Sequence, residues 1–141
     1  MLPVSDLDSI LFHTDGVWES LRGKKIFLTG GTGFIGKWLI ESFLHANGLF
    51  SLGASMHVLS RDPKAFLSRY PRLSYRKDLR WVEGDVRSFT FPRGEFSHIV
   101  HAATSSSDPV PPIETFDTIV EGTRRVLDFS RCVCEGHQDS I

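Results

Sequence analysis

The sequence has little excess charge and little cysteine. Sixteen Lys and Arg residues against 17 Asp and Glu residues give the 141-residue chain a formal net charge of −1. This balance, together with the absence of a long basic run, excludes the electrostatic footprint of a nucleic-acid-binding protein. Its two cysteines are too few for a disulfide framework, so we expect a reducing compartment and a cytoplasmic protein.

Long apolar runs are also missing. The longest stretch without Asp, Glu, Lys or Arg, residues 42–60, is interrupted by Gly, His, Ser and Asn residues and is unlike a membrane span. The first ten residues contain Asp6 and Asp8 but no Lys or Arg, unlike a signal peptide. The histidines and cysteines show no metal-ligand spacing. We therefore expect a soluble single domain without a metal site.

The sequence does contain short apolar runs, and these alternate with segments whose apolar residues have helical spacing. The apolar runs predict buried strands at residues 26–28, 56–59, 81–82 and 98–101. Helices are predicted over residues 34–47, 63–69 and 112–134. This alternation implies a parallel sheet, and right-handed crossovers favour an α/β doubly wound sheet of the Rossmann type with helices on both faces. Residues 1–23 are expected to form a helical lead-in to a domain that spans residues 24–141.

Side-chain patterns make these helix predictions more specific. Gly48 is expected to end the first helix, and Phe34 and Ile35 are expected to pack in the core. The apolar face of the last helix is predicted to consist of Phe116, Ile119, Val120, Val126 and Leu127.

A glycine-rich turn joins the first strand to the first helix, with the sequence TGGTGFIG at residues 29–36. Gly30 permits a tight turn, Gly33 lets a diphosphate approach the backbone, and Gly36 lets the helix lie close to the sheet. Free N–H groups at the helix N-terminus would meet the phosphates. A purely structural turn is the alternative. A P-loop is excluded because Trp38 follows Gly-Lys where Ser or Thr is required.

With this motif the chain resembles the extended short-chain dehydrogenase/reductases, and more narrowly the NAD-dependent epimerase/dehydratase group that acts on nucleotide sugars. The opening motif is FLTGGTGFIG at residues 27–36. Residues 84–86 (GDV) are similar to the acidic and aliphatic pair that contacts adenine. Residues 101–103 (HAA) resemble the segment that lines the cofactor. Residues 122–123 (GT) resemble the end of an Asn-x-x-Gly-Thr pattern, with Ile119 in place of Asn.

The resemblance implies NAD(P) binding and, in the family, hydride transfer assisted by a Tyr-x-x-x-Lys pair. Here Tyr70 is followed four residues later by Ser74, and Tyr75 by Leu79, so we assign no catalytic residue. We interpret the chain as the N-terminal, cofactor-binding portion of a longer nucleotide-sugar epimerase or dehydratase. The alternatives are a non-catalytic NAD(P)-binding module or sensor and a relative that binds nothing.

A sheet that is incomplete at its C-terminal side would expose an unpaired edge and apolar surface. Such surfaces favour association. We therefore expect low solubility or oligomerisation, for example as a homodimer.

The residues that follow the second strand favour NADP over NAD. Ser60 occupies the position of the acidic residue that would bind the adenosine ribose and repel a 2′-phosphate. Arg61 is suited to pair with that phosphate. The alternative is that Arg61 is a solvated loop residue and that Asp62 caps the next helix.

Other candidates follow the third and fourth strands. Asp85 is expected to accept a hydrogen bond from adenine, with a simple turn residue as the alternative. Thr104, Ser105 and Ser106 lie where ligands bind in open α/β sheets, or form a flexible polar loop. His101 is interpreted as a packed strand residue. The candidate cofactor-binding residues are Gly30, Thr32, Gly33, Phe34, Ile35, Gly36, Arg61, Asp85, Val86, Ala102, Ala103 and Thr104.

Overall fold

A computed structural model describes residues 2–104 and 111–135 as alternating strands and helices. The strands are β1 (Lys25–Thr29), β2 (Ser55–Ser60), β3 (Leu79–Glu83) and β4 (His98–His101). The helices are α1 (Val4–His13), α2 (Phe34–Leu49), α3 (Pro63–Arg69) and α4 (Pro112–Glu135), with short 3₁₀ helices at Trp18–Leu21 and Pro71–Tyr75. No helix within these residues is both long and apolar enough to cross a membrane.

The four strands form one open parallel sheet in the order β3-β2-β1-β4. The chain runs outward from β1 through β2 to β3 and then returns to place β4 on the other side of β1. The predicted Rossmann-type fold is therefore confirmed. In open α/β sheets, ligands bind where the strand order reverses, at the carboxyl ends of the strands. In this sheet that point lies between β1 and β4.

The two faces of the sheet carry separate apolar clusters because neighbouring residues of a strand point in opposite directions. On one face, Ile26 and Leu28 of β1 belong to the cluster that includes Phe43 of α2 and Phe66 of α3. Leu11 of α1 is part of the same cluster, and Asp8 of α1 also lies 2.7 Å from the His45 ring of α2. Helices α1, α2 and α3 therefore cover this face.

The other face is an aromatic cluster beneath α4. The Phe27 ring lies 4.8 Å from that of Phe129 and 5.4 Å from that of Phe89, measured between centroids. Arg125 of α4 donates two hydrogen bonds to the Phe89 carbonyl oxygen, at 2.7 and 3.1 Å, and lies 4.1 Å over the Phe91 ring. These contacts hold α4 against the sheet beside the segment that follows β3.

The structure corrects the predicted apolar face of α4. Phe116, Ile119 and Leu127 are exposed. Val126 is buried as predicted, but the other buried positions of the helix are Phe129 and Gly122. A side chain at Gly122 would press against Val86, so close approach of the backbone decides which face turns inward.

Two predictions for α2 are also wrong. The helix continues through Gly48 and ends at Leu49, because Asn47 rather than the glycine organises the following loop by pairing with the N–H and carbonyl groups of Ala54. Phe34 and Ile35 are 72% and 60% exposed. They occupy the first turn of the helix, beyond the strands that form the core.

Candidate functional site

All twelve candidate residues line one cavity of about 730 Å³ at the carboxyl edge of the sheet. This volume is within the range of small-molecule sites. Five further residues complete the lining, namely Leu59, Ser60, Arg69, Gly84 and Thr118. The neighbours of Thr104 that were also considered, Ser105 and Ser106, lie outside the described residues.

The glycine turn brings the end of β1, the start of α2 and the segment after β4 into close contact. Gly30 has a φ of +73°, and a Cβ at this position would collide with the carbonyl group of Ala102. A Cβ at Gly36 would collide with the backbone of Gly30 and Gly31. The fold itself therefore requires glycine at Gly30 and Gly36.

Gly33 differs from these two glycines. Its φ of −77° suits any residue, and a methyl group added at this position would have the Gly30 carbonyl oxygen as its nearest atom, at 3.3 Å. Gly33 is nevertheless exposed towards the cavity. Its lack of a side chain leaves the backbone accessible, which fits the close approach of a diphosphate.

The N-terminus of α2 presents uncapped donors to the same cavity. Gly33 is the N-cap residue and offers no side chain to cap the helix, and the first turn contains no acidic residue. The first N–H groups of a helix have no partner within it. Those of Phe34, Ile35 and Gly36 lie at the positive end of a 16-residue helix dipole and in the cavity lining, where they suit an anion.

The segments that follow β2 and end α3 each bring an arginine to the cavity, and neither brings a carboxylate. Ser60 is 8% exposed, and Arg61 and Arg69 both line the cavity. The Asp62 carboxylate instead accepts a hydrogen bond from the Ala65 N–H at 2.8 Å and caps α3. Ser60 also accepts from the Asp62 N–H, at 3.3 Å.

Asp85 is ionised and paired within the cavity wall. Its two carboxylate oxygens each accept a hydrogen bond from the Arg87 guanidinium at 2.8 Å, and one also accepts from the Arg87 N–H at 2.9 Å. The side-chain hydrogen bonds from Arg87 are the main reason that the pKa of Asp85 lies below its ordinary value, and Arg61 contributes weakly. Asp85 is therefore an acceptor whose orientation is fixed by Arg87.

A chain of hydrogen bonds lies behind the part of the cavity wall that Ala102 and Ala103 form. Thr29 Oγ1 lies 2.7 Å from His101 Nδ1, and His101 Nε2 lies 3.2 Å from Thr123 Oγ1. Thr29 Oγ1 also accepts from the N–H groups of Ala102 and Ala103, at 3.2 Å each. Burial lowers the pKa of His101. His101 is thus a bonded strand residue and not a free base in the cavity.

Arg69, Thr118 and Arg87 are the residues of the site that the sequence does not reveal. Arg69 reaches the cavity from the end of α3, and Thr118 lies on α4, whose inward face was predicted wrongly. The pairing of Arg87 with Asp85 depends on the turn after β3. The only signal for Arg69 is a second arginine eight residues after Arg61.

A tyrosine–lysine contact lies outside the cavity. The Tyr70 hydroxyl accepts from Lys37 Nζ at 3.5 Å, but neither residue lines the cavity. No cluster of His, Cys, Asp and Glu within residues 2–104 and 111–135 is arranged to hold a metal ion.

The chain is similar to known proteins in sequence and in fold. The model of the NAD dependent epimerase/dehydratase family matches residues 26–136. No curated protein matches the chain. The X-ray structure of Pen from Bacillus thuringiensis is similar, with 22% sequence identity and a TM-score of 0.66 over 80% of this chain and 35% of that one. The likeness to Pen shows the fold, and the chain spans about a third of the length of Pen.

Proposed function

Because this chain belongs to the NAD-dependent epimerase/dehydratase family, we propose that it binds NAD(P) in the cavity at the carboxyl edge of the sheet, with NADP preferred over NAD. The observation that carries the proposal is the exposed Gly33 beside the uncapped N-terminus of α2. It combines an open backbone with N–H donors, as a dinucleotide diphosphate requires.

Each part of the cofactor has suitable residues in the cavity wall. The N–H groups of Phe34, Ile35 and Gly36 suit the diphosphate, with Thr32 beside them. Asp85 and Val86 suit the adenine, and residues 102–104 suit the nicotinamide ribose. A bound nicotinamide supplies a centre that accepts or donates a hydride.

The preference for NADP is supported by charge. Arg61, directly after β2, and Arg69, at the end of α3, both line the cavity. The carboxylate that would repel a 2′-phosphate is replaced by the Ser60 hydroxyl, and Asp62 is engaged as a helix cap. Arginine forms strong, paired hydrogen bonds with phosphate.

The proposal extends to a longer protein in which residues 24–141 are the dinucleotide-binding domain and residues 1–23 a helical lead-in. In this proposal, the longer protein is a cytoplasmic homodimer. It is an oxidoreductase that epimerises or dehydrates a nucleotide sugar by way of hydride transfer. The chain spans 35% of the Pen chain, and the Tyr-x-x-x-Lys pair is absent from its sequence. The second candidate function, which this absence favours, is a non-catalytic NAD(P)-binding module.

Titration of the full 141-residue chain with NADP and with NAD tests the proposal. We expect binding of both, with tighter binding of NADP, and a loss of about tenfold or more for NADP alone in Arg61→Ala, since hydrogen bonds to charged groups are strong. Arg93→Ala is the matched control, because Arg93 is exposed and does not line the cavity.

Two outcomes would contradict the proposal. Failure to bind either compound at millimolar concentration rejects cofactor binding. An equal loss for NAD and NADP in Arg61→Ala rejects the role of Arg61 in selecting NADP. A Tyr-x-x-x-Lys encoded in the same reading frame beyond residue 141 would distinguish the oxidoreductase from the binding module.

A further inference from the structure

The chain of hydrogen bonds through His101 joins three elements behind the cavity wall. Thr29 is the last residue of β1 and is fully buried. His101 is the last residue of β4, and Thr123 lies on α4. The two ring nitrogens of His101 are 2.7 and 3.2 Å from the hydroxyl oxygens of Thr29 and Thr123, respectively.

The backbone donors around Thr29 determine where the protons lie. Thr29 Oγ1 accepts from the N–H groups of Ala102 and Ala103, which occupies both acceptor sites of a hydroxyl group. Its own O–H therefore donates to His101 Nδ1. The ring proton is consequently on Nε2, which donates to Thr123 Oγ1. His101 is neutral in this arrangement, with a single permitted tautomer.

This arrangement holds the part of the cavity wall that continues beyond β4. Ala102 and Ala103 line the cavity and follow the last residue of the strand. The Ala102 N–H has one further bond, to the Thr29 carbonyl oxygen at 3.3 Å. The Thr29 hydroxyl therefore extends the pairing of β1 with β4 by side-chain contacts, and His101 fixes the direction of that hydroxyl.

We infer that His101 is a positioning residue of the cofactor site, which, as its Nε2–H tautomer, connects α4 to Thr29 and so holds the wall formed by Ala102 and Ala103. The inference rests on the proposed cofactor site. His101 does not itself line the cavity, so its effect on the ligand passes through Thr29 and the two alanine N–H groups.

The charged groups on the neighbouring elements do not connect α4 to Thr29 as His101 does. Next to Thr123 on α4, Arg124 donates to Glu121 at 3.1 Å. On β4, the His98 ring is exposed and bonds to Ser97. On β1, Lys25 is at the opposite end of the strand from Thr29. Burial lowers the pKa of His101, and the polar contacts of its ring nitrogens are the hydroxyl groups of Thr29 and Thr123.

NMR of the wild-type chain without cofactor tests the proton assignment. We expect ¹⁵N shifts of a neutral His101 ring with the proton on Nε2, and slow hydrogen exchange at the Ala103 N–H. A proton on Nδ1, or exchange of the Ala103 N–H at the rate of an unprotected peptide, would overturn the inference. This measurement requires no cofactor, so it is independent of the proposed function.

Cofactor titration of variants tests the positioning role. Thr29→Val and His101→Leu are expected to weaken NADP binding about tenfold or more. Thr29→Ser restores the hydroxyl, and His101→Asn keeps an acceptor near the position of Nδ1, so each is expected to recover most of the affinity lost in its apolar counterpart.

His57→Leu is the matched control. His57 is another partly buried strand histidine whose pKa is lowered, but it packs against Phe96 and does not line the cavity. We expect a lower free energy of unfolding with NADP affinity within about twofold of the wild type. Wild-type affinity in His101→Leu would overturn the positioning role. If the wild-type chain binds neither NADP nor NAD, the proposed function fails while the NMR result still decides the proton assignment.

Discussion

Individual glycines in the turn after β1 have different physical reasons to be present. Gly36 faces the backbone of Gly30 and Gly31, which has no flexible end that can move away. Gly33 faces mainly the cavity, and its backbone conformation is open to all residues. One motif therefore combines a requirement of folding with a requirement of ligand access.

Substitution by alanine should separate these two requirements. Gly36→Ala is expected to lower the free energy of unfolding by about 1–3 kcal/mol, since overpacking against the backbone outweighs the gain in helix propensity. Gly33→Ala should change stability by less than about 1 kcal/mol but weaken NADP binding. Urea unfolding of the two variants measures the change in stability, and cofactor titration measures the change in NADP affinity. An equal effect of both variants on stability would contradict the separation of the two requirements.

Histidine titration should make the protein less stable in mild acid. The pKa of His101 is lowered by burial, and that of His57 by burial and then by Lys25 and Arg80. A lowered pKa favours the neutral form in the folded state, so stability is fully present above the ordinary value of 6.5 and is lost as the pH falls through the lowered pKa values.

Unfolding measured between pH 8 and about pH 4.5 checks this expectation. We expect the free energy of unfolding to decline below about pH 6.5, and the decline to be smaller in His57→Leu and His101→Asn. The hydrogen bonds from Arg87 lower the pKa of Asp85 from its ordinary value, so the stability that Asp85 contributes is lost only at more acidic pH. A flat profile in the wild type across the histidine range would reject the lowered pKa values.

At the scale of whole elements, local chemistry predicts some boundaries and fails at others. Helix α3 spans Pro63–Arg69 as the sequence predicts, because Asp62 caps it and Pro63 suits its first turn. The inward face of α4 is not predictable from apolar spacing, since it includes Gly122, and the apolar Ile119 and Leu127 are exposed. Packing against the sheet overrides periodicity in α4.

The same distinction applies to the cavity. Its twelve predicted lining residues follow the carboxyl ends of parallel strands or begin α2, so strand order alone brings them together. Arg69 and Thr118 lie on helices, and their approach depends on how α3 and α4 are rotated against the sheet. Tertiary contacts determine that rotation, and it cannot be predicted from the local sequence of either helix.

Substitutions at two glycines test the contact between α4 and the segment after β3. A Cβ at Gly122 would lie 2.9 Å from a Val86 methyl carbon, so Gly122→Val is expected to cost about 1–3 kcal/mol of stability. A Cβ at Gly48 on α2 would have no atom within 4 Å. Gly48→Ala should therefore stabilise the protein by about 0.5–1 kcal/mol, because alanine has the higher helix propensity. Thermal unfolding of both variants measures the difference. Unchanged stability in Gly122→Val would contradict the close packing of α4.

At the scale of the whole molecule, both edges of the sheet are open. Within residues 2–104 and 111–135, no strand pairs with the outer edge of β3 or of β4, and Val100 on β4 is 37% exposed. Ile113, Phe116 and Ile119 on α4 are also exposed. Unpaired edges and apolar patches favour association between molecules.

We therefore expect the 141-residue chain to self-associate in a concentration-dependent manner. Ile119→Lys should shift the sedimentation profile towards the monomer, because a charge would have to be desolvated in the contact. Phe12→Lys, on α1 and 80% exposed, is the control and should leave the profile unchanged. A wild-type monomer at all concentrations would contradict the expectation.

The position of β4 has a consequence for the folding of the chain. Thr29 and His101 are in contact although 72 positions separate them in the sequence, so the cavity closes only when a distant segment returns to β1. Long-range strand pairing of this kind is slow because the entropy of loop closure opposes it. A nucleotide that recognises only the completed pocket would bind after this step and, by mass action, protect the chain from proteolysis.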